Sequence, residues 1–208
     1  VRVLEDVPIG ASAEQGKNIW VFLVCGEDQH ANARNLGFER GRSVDPVHFR
    51  HLDVKHCYMR LTFAGQANRI LAVARFGNNL DIWVYDIARH VATRLTFDEG
   101  YDADQIWSPD GSTIVYSSNR GGGNNAIYRN AADGSGEAEL IVEPGDMPAL
   151  YPTSWSPDGR WITVWTANSD INIASVESGE MQPFQATSFG EFNPSFSPDG
   201  RWIAYDSN

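Results

Sequence analysis

The chain has little cysteine, little positive charge and no long hydrophobic run, and each shortage removes a class of function. Two cysteines, Cys25 and Cys57, cannot build a disulfide framework, and their spacing leaves a single bridge and two free thiols both open. The longest apolar stretch, "IWVFLVC" over Ile19 to Cys25, is strand length and far short of the roughly 18 residues that span a bilayer. The chain starts at Val1 with no basic segment leading into an apolar one. No signal peptide is visible, therefore, and the missing Met reads as processing or excerpting. Basic residues number 16 against 27 acidic ones, a net charge of −11, which disfavours nucleic acid and anionic membrane as partners. The imbalance is uneven. Residues 1–60 hold eight of each sign, and residues 61–208 hold eight basic and nineteen acidic residues. No G-x-S-x-G elbow occurs, so serine-based covalent catalysis has no support.

Turn formers and aromatics are plentiful, with 19 Gly, 7 Trp, 7 Tyr and 10 Phe in 208 residues, a composition that leans to β structure. Among them one short stretch recurs. "WSPDG" stands at Trp107 to Gly111 and at Trp155 to Gly159, and "FSPDG" at Phe196 to Gly200, with spacings of 48 and 41 residues. Each copy ends one strand and leads into an alternating run: "STIVYSS", "RWITVW" and "RWIAYD". Pro presets φ for the first central turn position, Asp tolerates the second, and Gly takes the left-handed one. Third and fourth strands follow in "NAIYRN" and "ADGSGEAELIVE", then in "INIASV" and "ESGEMQPFQA". A degenerate copy, "FAGQANRILAVAR" with "LDIWVYDIARHVATRLTF", lies 44 residues before the first intact turn. Four short strands per period of 40 to 50 residues is the pattern of propeller blades. The expected fold is an all-β propeller of four-stranded antiparallel blades, one domain over 1–208. Blades cover 61–100, 101–145 and 146–186, with half a blade over 187–208.

The three SPDG turns, with "DIWVYD" (Asp81 to Asp86) and "RLTF" (Arg94 to Phe97), resemble the TolB-like propeller repeat, a relative of the WD-type repeat. The likeness covers about 61–208. It implies a fold usually closed with six or more blades, and an extracytoplasmic setting such as the bacterial periplasm. Repeats of this kind bind proteins in translocation systems, sense signals on kinases and gate serine peptidases, so the resemblance implies no single activity.

Residues 1–60 lack the pattern. "VRVLEDV" suits an outer strand and "KNIWVFLV" a buried one, and Asp45-Pro46 suits a helix start ahead of "VHFRHLDVKHCYMR". This region is either a divergent blade or something other than propeller. The count of four to five blades leaves closure open: exchange with the N-terminal strand, pairing of open edges in a homo-oligomer, or an excerpt of a longer ring.

Two groups of residues bear on chemistry. His48, His51, His56 and Cys57 are donors of the kind that hold zinc. On a helix His48 and His51 share a face with His56 near it; on a strand His48 and His56 share one. The competing reading is an irregular surface segment. The second group precedes the turns, where each blade hands over to the next innermost strand. There Asp102, Asp104, Glu191 and Asn193 are expected at the mouth of the central channel, as oxygen ligands for calcium or as solvating polar loops. The serines of the three turns are explained by the turns. "RGGGNN" (Arg120 to Asn125) joins two strands and is expected to be a loop, and Trp107, Trp155, Phe196, Trp161 and Trp202 to be blade packing. Three functions remain: a non-catalytic propeller binding a protein or peptide at its channel face, a metal-dependent hydrolase of a small-molecule ester, lactone or phosphotriester, and an accessory module of a larger protein.

Overall fold

A computed structural model describes residues 18–19, 56–63, 69–76, 78–86 and 88–208, and every described regular element is a β-strand. The repeated turn sets the pattern. In each copy the Ser carbonyl accepts the N–H of the Gly three residues on, at 2.9 Å, and that Gly has φ of 70°, 78° and 69° in Gly111, Gly159 and Gly200. An L side chain at such a φ is strained, so glycine is the fitting residue. The Ser hydroxyl donates to the Asp carboxylate at 2.6 Å in Ser108–Asp110, Ser156–Asp158 and Ser197–Asp199. The same oxygen accepts an N–H at the start of the next strand or just before it, from Thr113 at 2.9 Å, Trp161 at 2.9 Å and Trp202 at 3.0 Å. All four residues of the motif are thus used inside the turn.

Around these turns the strands form antiparallel sheets in chain order. β6 (Asp102–Trp107), β7 (Thr113–Ser118), β8 (Ala126–Ala131) and β9 (Glu139–Val142) make the second sheet. β10 (Leu150–Trp155), β11 (Trp161–Thr166), β12 (Ile171–Ser175) and β13 (Met181–Gln185) make the third. β14 (Glu191–Phe196) and β15 (Ile203–Ser207) form a two-stranded fourth. The first sheet joins β2 (His56–Phe63), β3 (Arg69–Phe76), β4 (Asn79–Asp86) and β5 (Val91–Arg94), and adds the two-residue β1 (Asn18–Ile19) beside β2. Two expectations change here. The first sheet has five strands rather than four. "HCYMR" is strand, not the continuation of a helix opened at Pro46, because its backbone pairs with β3 from His56↔Arg75 onward. The other readings placed on residues 1–55 lie outside the described residues, apart from Asn18–Ile19.

The sheets stack face to face, and the core lies between them. Leu71, Ile82 and Val84 of the first sheet meet Trp107, Ile114 and Tyr116 of the second. Val115, Ile127 and Val142 on the opposite face of the second meet Leu150, Ile162 and Val164 of the third. Middle strands are therefore apolar on both faces, as in β7, where Ile114, Val115 and Tyr116 are fully buried. Each such side chain contributes about 2 kcal/mol by leaving water. Of the repeated aromatics, Trp107 lies in the core between the first and second sheets and Trp155 packs against the core between the second and third, but Trp161 and Trp202 are 36% and 70% exposed. The packing role expected for those two residues is not present among the described residues.

Candidate functional site

The first strands of successive sheets, β6, β10 and β14, lie side by side, and all three carry the same irregularity. Register with the following strand shifts between Ala103 and Ile106, between Pro152 and Ser154, and between Phe192 and Ser195. Such bulges re-aim the side chains they contain. Asp104 and Asn193 occupy equivalent places in β6 and β14 and have φ of 54° and 53°, a left-handed conformation that short polar residues tolerate best. Pro152 takes that place in β10.

Asp104 is half-buried and accepts the Tyr101 hydroxyl at 2.5 Å. The Asp104 charge also reaches Tyr151, whose phenol is pushed above its ordinary pKa by burial first and by that charge second. From Tyr151 an aromatic line continues across the sheets: Trp165 at 5.3 Å between ring centroids, then Phe192 at 6.1 Å from Trp165. The Trp165 indole is fixed by donating to the Glu191 carbonyl at 3.0 Å. At the far end Asn193 donates to Asp206 at 2.8 Å, and both are exposed. A row of half-buried aromatic faces with a carboxylate at either end suits a ligand with apolar stretches and cationic groups, since cations are attracted to ring faces and to carboxylates alike.

The four channel-mouth residues therefore divide. Asp104 and Asn193 lie on this face. Asp102 and Glu191, at 2% and 0% exposure, are interior. Burial raises the Asp102 pKa against the lowering by Ser118 and Arg120. Arg120 reaches Asp102 at 3.4 Å and Asp98 at 3.1 Å, and its guanidinium lies 4.5 Å from the Tyr128 ring centroid. Glu191 accepts the Thr187 hydroxyl. Among the described residues no three His, Cys, Asp or Glu side chains gather as a metal site would require. His48 and His51 lie outside the described residues, while His56 and Cys57 open β2.

Sequence reasoning did not single out Tyr101, Arg120, Tyr151, Trp165 or Phe192. A signal existed for two of them: Tyr151 and Phe192 both stand second in their strands, in phase with the repeat. At the opposite end of the innermost strands, successive SPDG turns enclose two shallow grooves of about 300 and 440 Å³. Their lining is largely turn residues already committed to the turns' own hydrogen bonds.

The family model for the TolB beta propeller domain matches residues 57–208. The chain belongs to that family. Among solved structures, this TolB-domain chain is similar to TolB from Acinetobacter baumannii, with a TM-score of 0.56 and 25% identity over 68% of this chain and 35% of that one. It is also similar to the putative TolB from Agrobacterium tumefaciens, at a TM-score of 0.54 and 22% identity, covering 70% of this chain and 52% of that one. An oligogalacturonate lyase from Vibrio parahaemolyticus shares the fold at a TM-score of 0.59 and 12% identity, over 73% of this chain and 47% of the other. A curated relative, the uncharacterized peptidase YuxL of Bacillus subtilis (strain 168), is 34% identical over 85 residues, which is 40% of this chain and 12% of that protein. The chain spans about a third of the Acinetobacter TolB and about an eighth of the peptidase. No helix among the described residues is long and apolar enough to cross a membrane.

Proposed function

We propose that this propeller module binds a protein or peptide ligand at the starts of its innermost strands, without catalysing a reaction on it. The observation that carries the reading is the aromatic line Tyr151–Trp165–Phe192, with Asp104, held by Tyr101, within electrostatic reach of Tyr151. Half-buried tyrosine and tryptophan faces are the usual anchors of protein interfaces. With Asp104 and Asp206 at the two ends, and with the acidic excess confined to residues 61–208, the favoured ligand is a segment carrying Lys or Arg between apolar residues. Membership of the TolB-domain family supports a binding role, and the partner's identity follows from none of these relatives.

Selection from a displayed random-peptide library tests the reading. Selected peptides are expected to be enriched in Lys or Arg, and calorimetry with Asp104→Asn is expected to show binding about tenfold weaker, or 1.4 kcal/mol. Peptides that bind Asp104→Asn and Tyr151→Ala as tightly as the native chain would sink it. A second reading rests on the 85-residue match to the peptidase: the same face serves a longer chain of which this propeller is a part. Partner binding in both readings uses the same residues.

A further inference from the structure

Two strand pairs in the molecule end alike, and among the described residues only one has a cation at its buried carboxylate. In the second sheet the Asn119 Oδ1 accepts the Tyr101 N–H at 2.8 Å, and the Asn119 N–H reaches the Tyr101 carbonyl at 3.2 Å. In the fourth, Asn208 repeats both bonds with Gly190, at 2.8 and 3.3 Å. Counted from the SPDG turns, Tyr101 corresponds to Gly190, Asn119 to Asn208 and Asp102 to Glu191. Asp102 faces Arg120, the residue directly after Asn119, whose guanidinium is held by the Tyr116 hydroxyl at 2.8 Å and the Ser118 hydroxyl at 3.0 Å. The counterpart of Ser118 is Ser207.

Glu191 is fully buried. Its Oε1 takes the Thr187 hydroxyl, while its Oε2, like the Asp102 Oδ2, has no hydrogen-bond partner; unlike Asp102, it has no cation within salt-bridge distance among the described residues. The third sheet offers the control. Leu150 stands in the acid's place and Asn168 in the arginine's, so neither charge is present. A carboxylate oxygen left unpaired in the interior is costly, and its two oxygens match the planar fork of a guanidinium better than an ammonium.

We propose that the Glu191 carboxylate is a receptor for an arginine guanidinium, standing where Arg120 stands in the second sheet. That arginine comes either from a residue joined directly behind Asn208 or from another chain, and the chemistry is shared. The experiment separates the sources. Chains carrying Arg or Gln appended after Asn208 are melted in native and Glu191→Gln backgrounds. The 208-residue chain is titrated with N-methylguanidinium, with tetramethylammonium as the salt control. The Arg extension is expected to melt about 4 °C above the Gln extension, with the difference lost in Glu191→Gln. A Glu191-dependent shift with N-methylguanidinium assigns the second source; a gain from the tethered arginine alone assigns the first. Equal melting of the Arg and Gln extensions, together with no Glu191-dependent response to N-methylguanidinium, overturns the proposal. Glu191→Leu keeps the test decisive if the Gln variant does not fold. It installs the third sheet's residue and is expected to raise the melting temperature of the 208-residue chain, and a lower one contradicts an unanswered charge.

Discussion

The second sheet and the fourth are built from the same instructions and reach different states. Both open with a bulged strand bearing an acid at its first position and a left-handed polar residue at its third. In both, that strand leads into an SPDG turn whose bonds agree to within about a tenth of an ångström. Yet Ile114 and Tyr116 of β7 are fully buried, whereas their counterparts in β15, Ile203 and Tyr205, are partly exposed, Tyr205 at 39%. The turn is local chemistry and forms wherever its four residues stand. Burial is supplied by the neighbouring sheets: β7 is covered on both faces, whereas among the described residues β15 meets only the edge of the third sheet, where the Tyr205 ring lies 6.3 Å from that of Phe184. Local propensity thus specifies the blade, and stacking supplies its stability.

The sharpest way to break this comparison is to make one substitution at equivalent places. Ile114→Ala is expected to cost about 3 kcal/mol, as buried large-to-small changes do, and Ile203→Ala less than about 1 kcal/mol. Urea denaturation of the two variants checks this, and equal losses would show that stacking is not what separates the sheets. Next in size is Arg120→Ala, which strands Asp102 without its cation at 2% exposure. Removing one partner of a buried pair costs several kcal/mol, and with Arg120 itself reached by some solvent about 2 kcal/mol is expected in the same assay. Removing a turn hydroxyl is smaller. Ser156→Ala deletes the bonds to Asp158 and Trp161 and is expected to cost about 1 kcal/mol, with Ser197→Ala below it because that turn is exposed.

The smallest effect is acid dependence. Hydrogen bonds from Ser156 first, then from Arg160, hold the Asp158 carboxyl down at about 2, and those from Ser108 and Ser197 first hold Asp110 and Asp199 below the ordinary carboxylate value. A lowered carboxyl stabilises the fold above its unfolded pKa, near 3.8, and loses that contribution as pH falls towards its folded value. Melting temperature is expected to drop between about pH 4 and pH 2, and the drop to shrink in Asp158→Asn. A drop of the same size in that variant would assign it to other groups.

How much of this was legible follows from what each feature depends on. The strand order of residues 69–207 could be read because SPDG is a closed unit of sequence: Pro, Asp and Gly each have one conformational reason to be there. The acids at 102, 104, 191 and 193 could be flagged because they stand ahead of the turns. Which of them faces solvent could not, since one bulge between Ala103 and Ile106 separates interior Asp102 from accessible Asp104, and a bulge leaves no mark in residue type. Arg120 was hidden in a glycine-rich loop, although its distance from Asp102 is set by the hairpin. The aromatic line runs through three strands of two sheets, so only stacking brings Tyr151, Trp165 and Phe192 together. Trp202 shows the reverse error: periodicity marked it for packing, and its exposure reflects the neighbour it lacks among the described residues.

The central claim is that ligand meets the starts of the innermost strands and not the grooves between the SPDG turns. A library-selected basic peptide carrying a photo-reactive group, cross-linked and mapped by mass spectrometry, tests it most directly. Adducts on Tyr101, Tyr151 or Phe192, lost in Asp104→Asn, are the predicted result. Adducts on the segments around Pro109, Pro157 or Asp199, unchanged by Asp104→Asn, would contradict it.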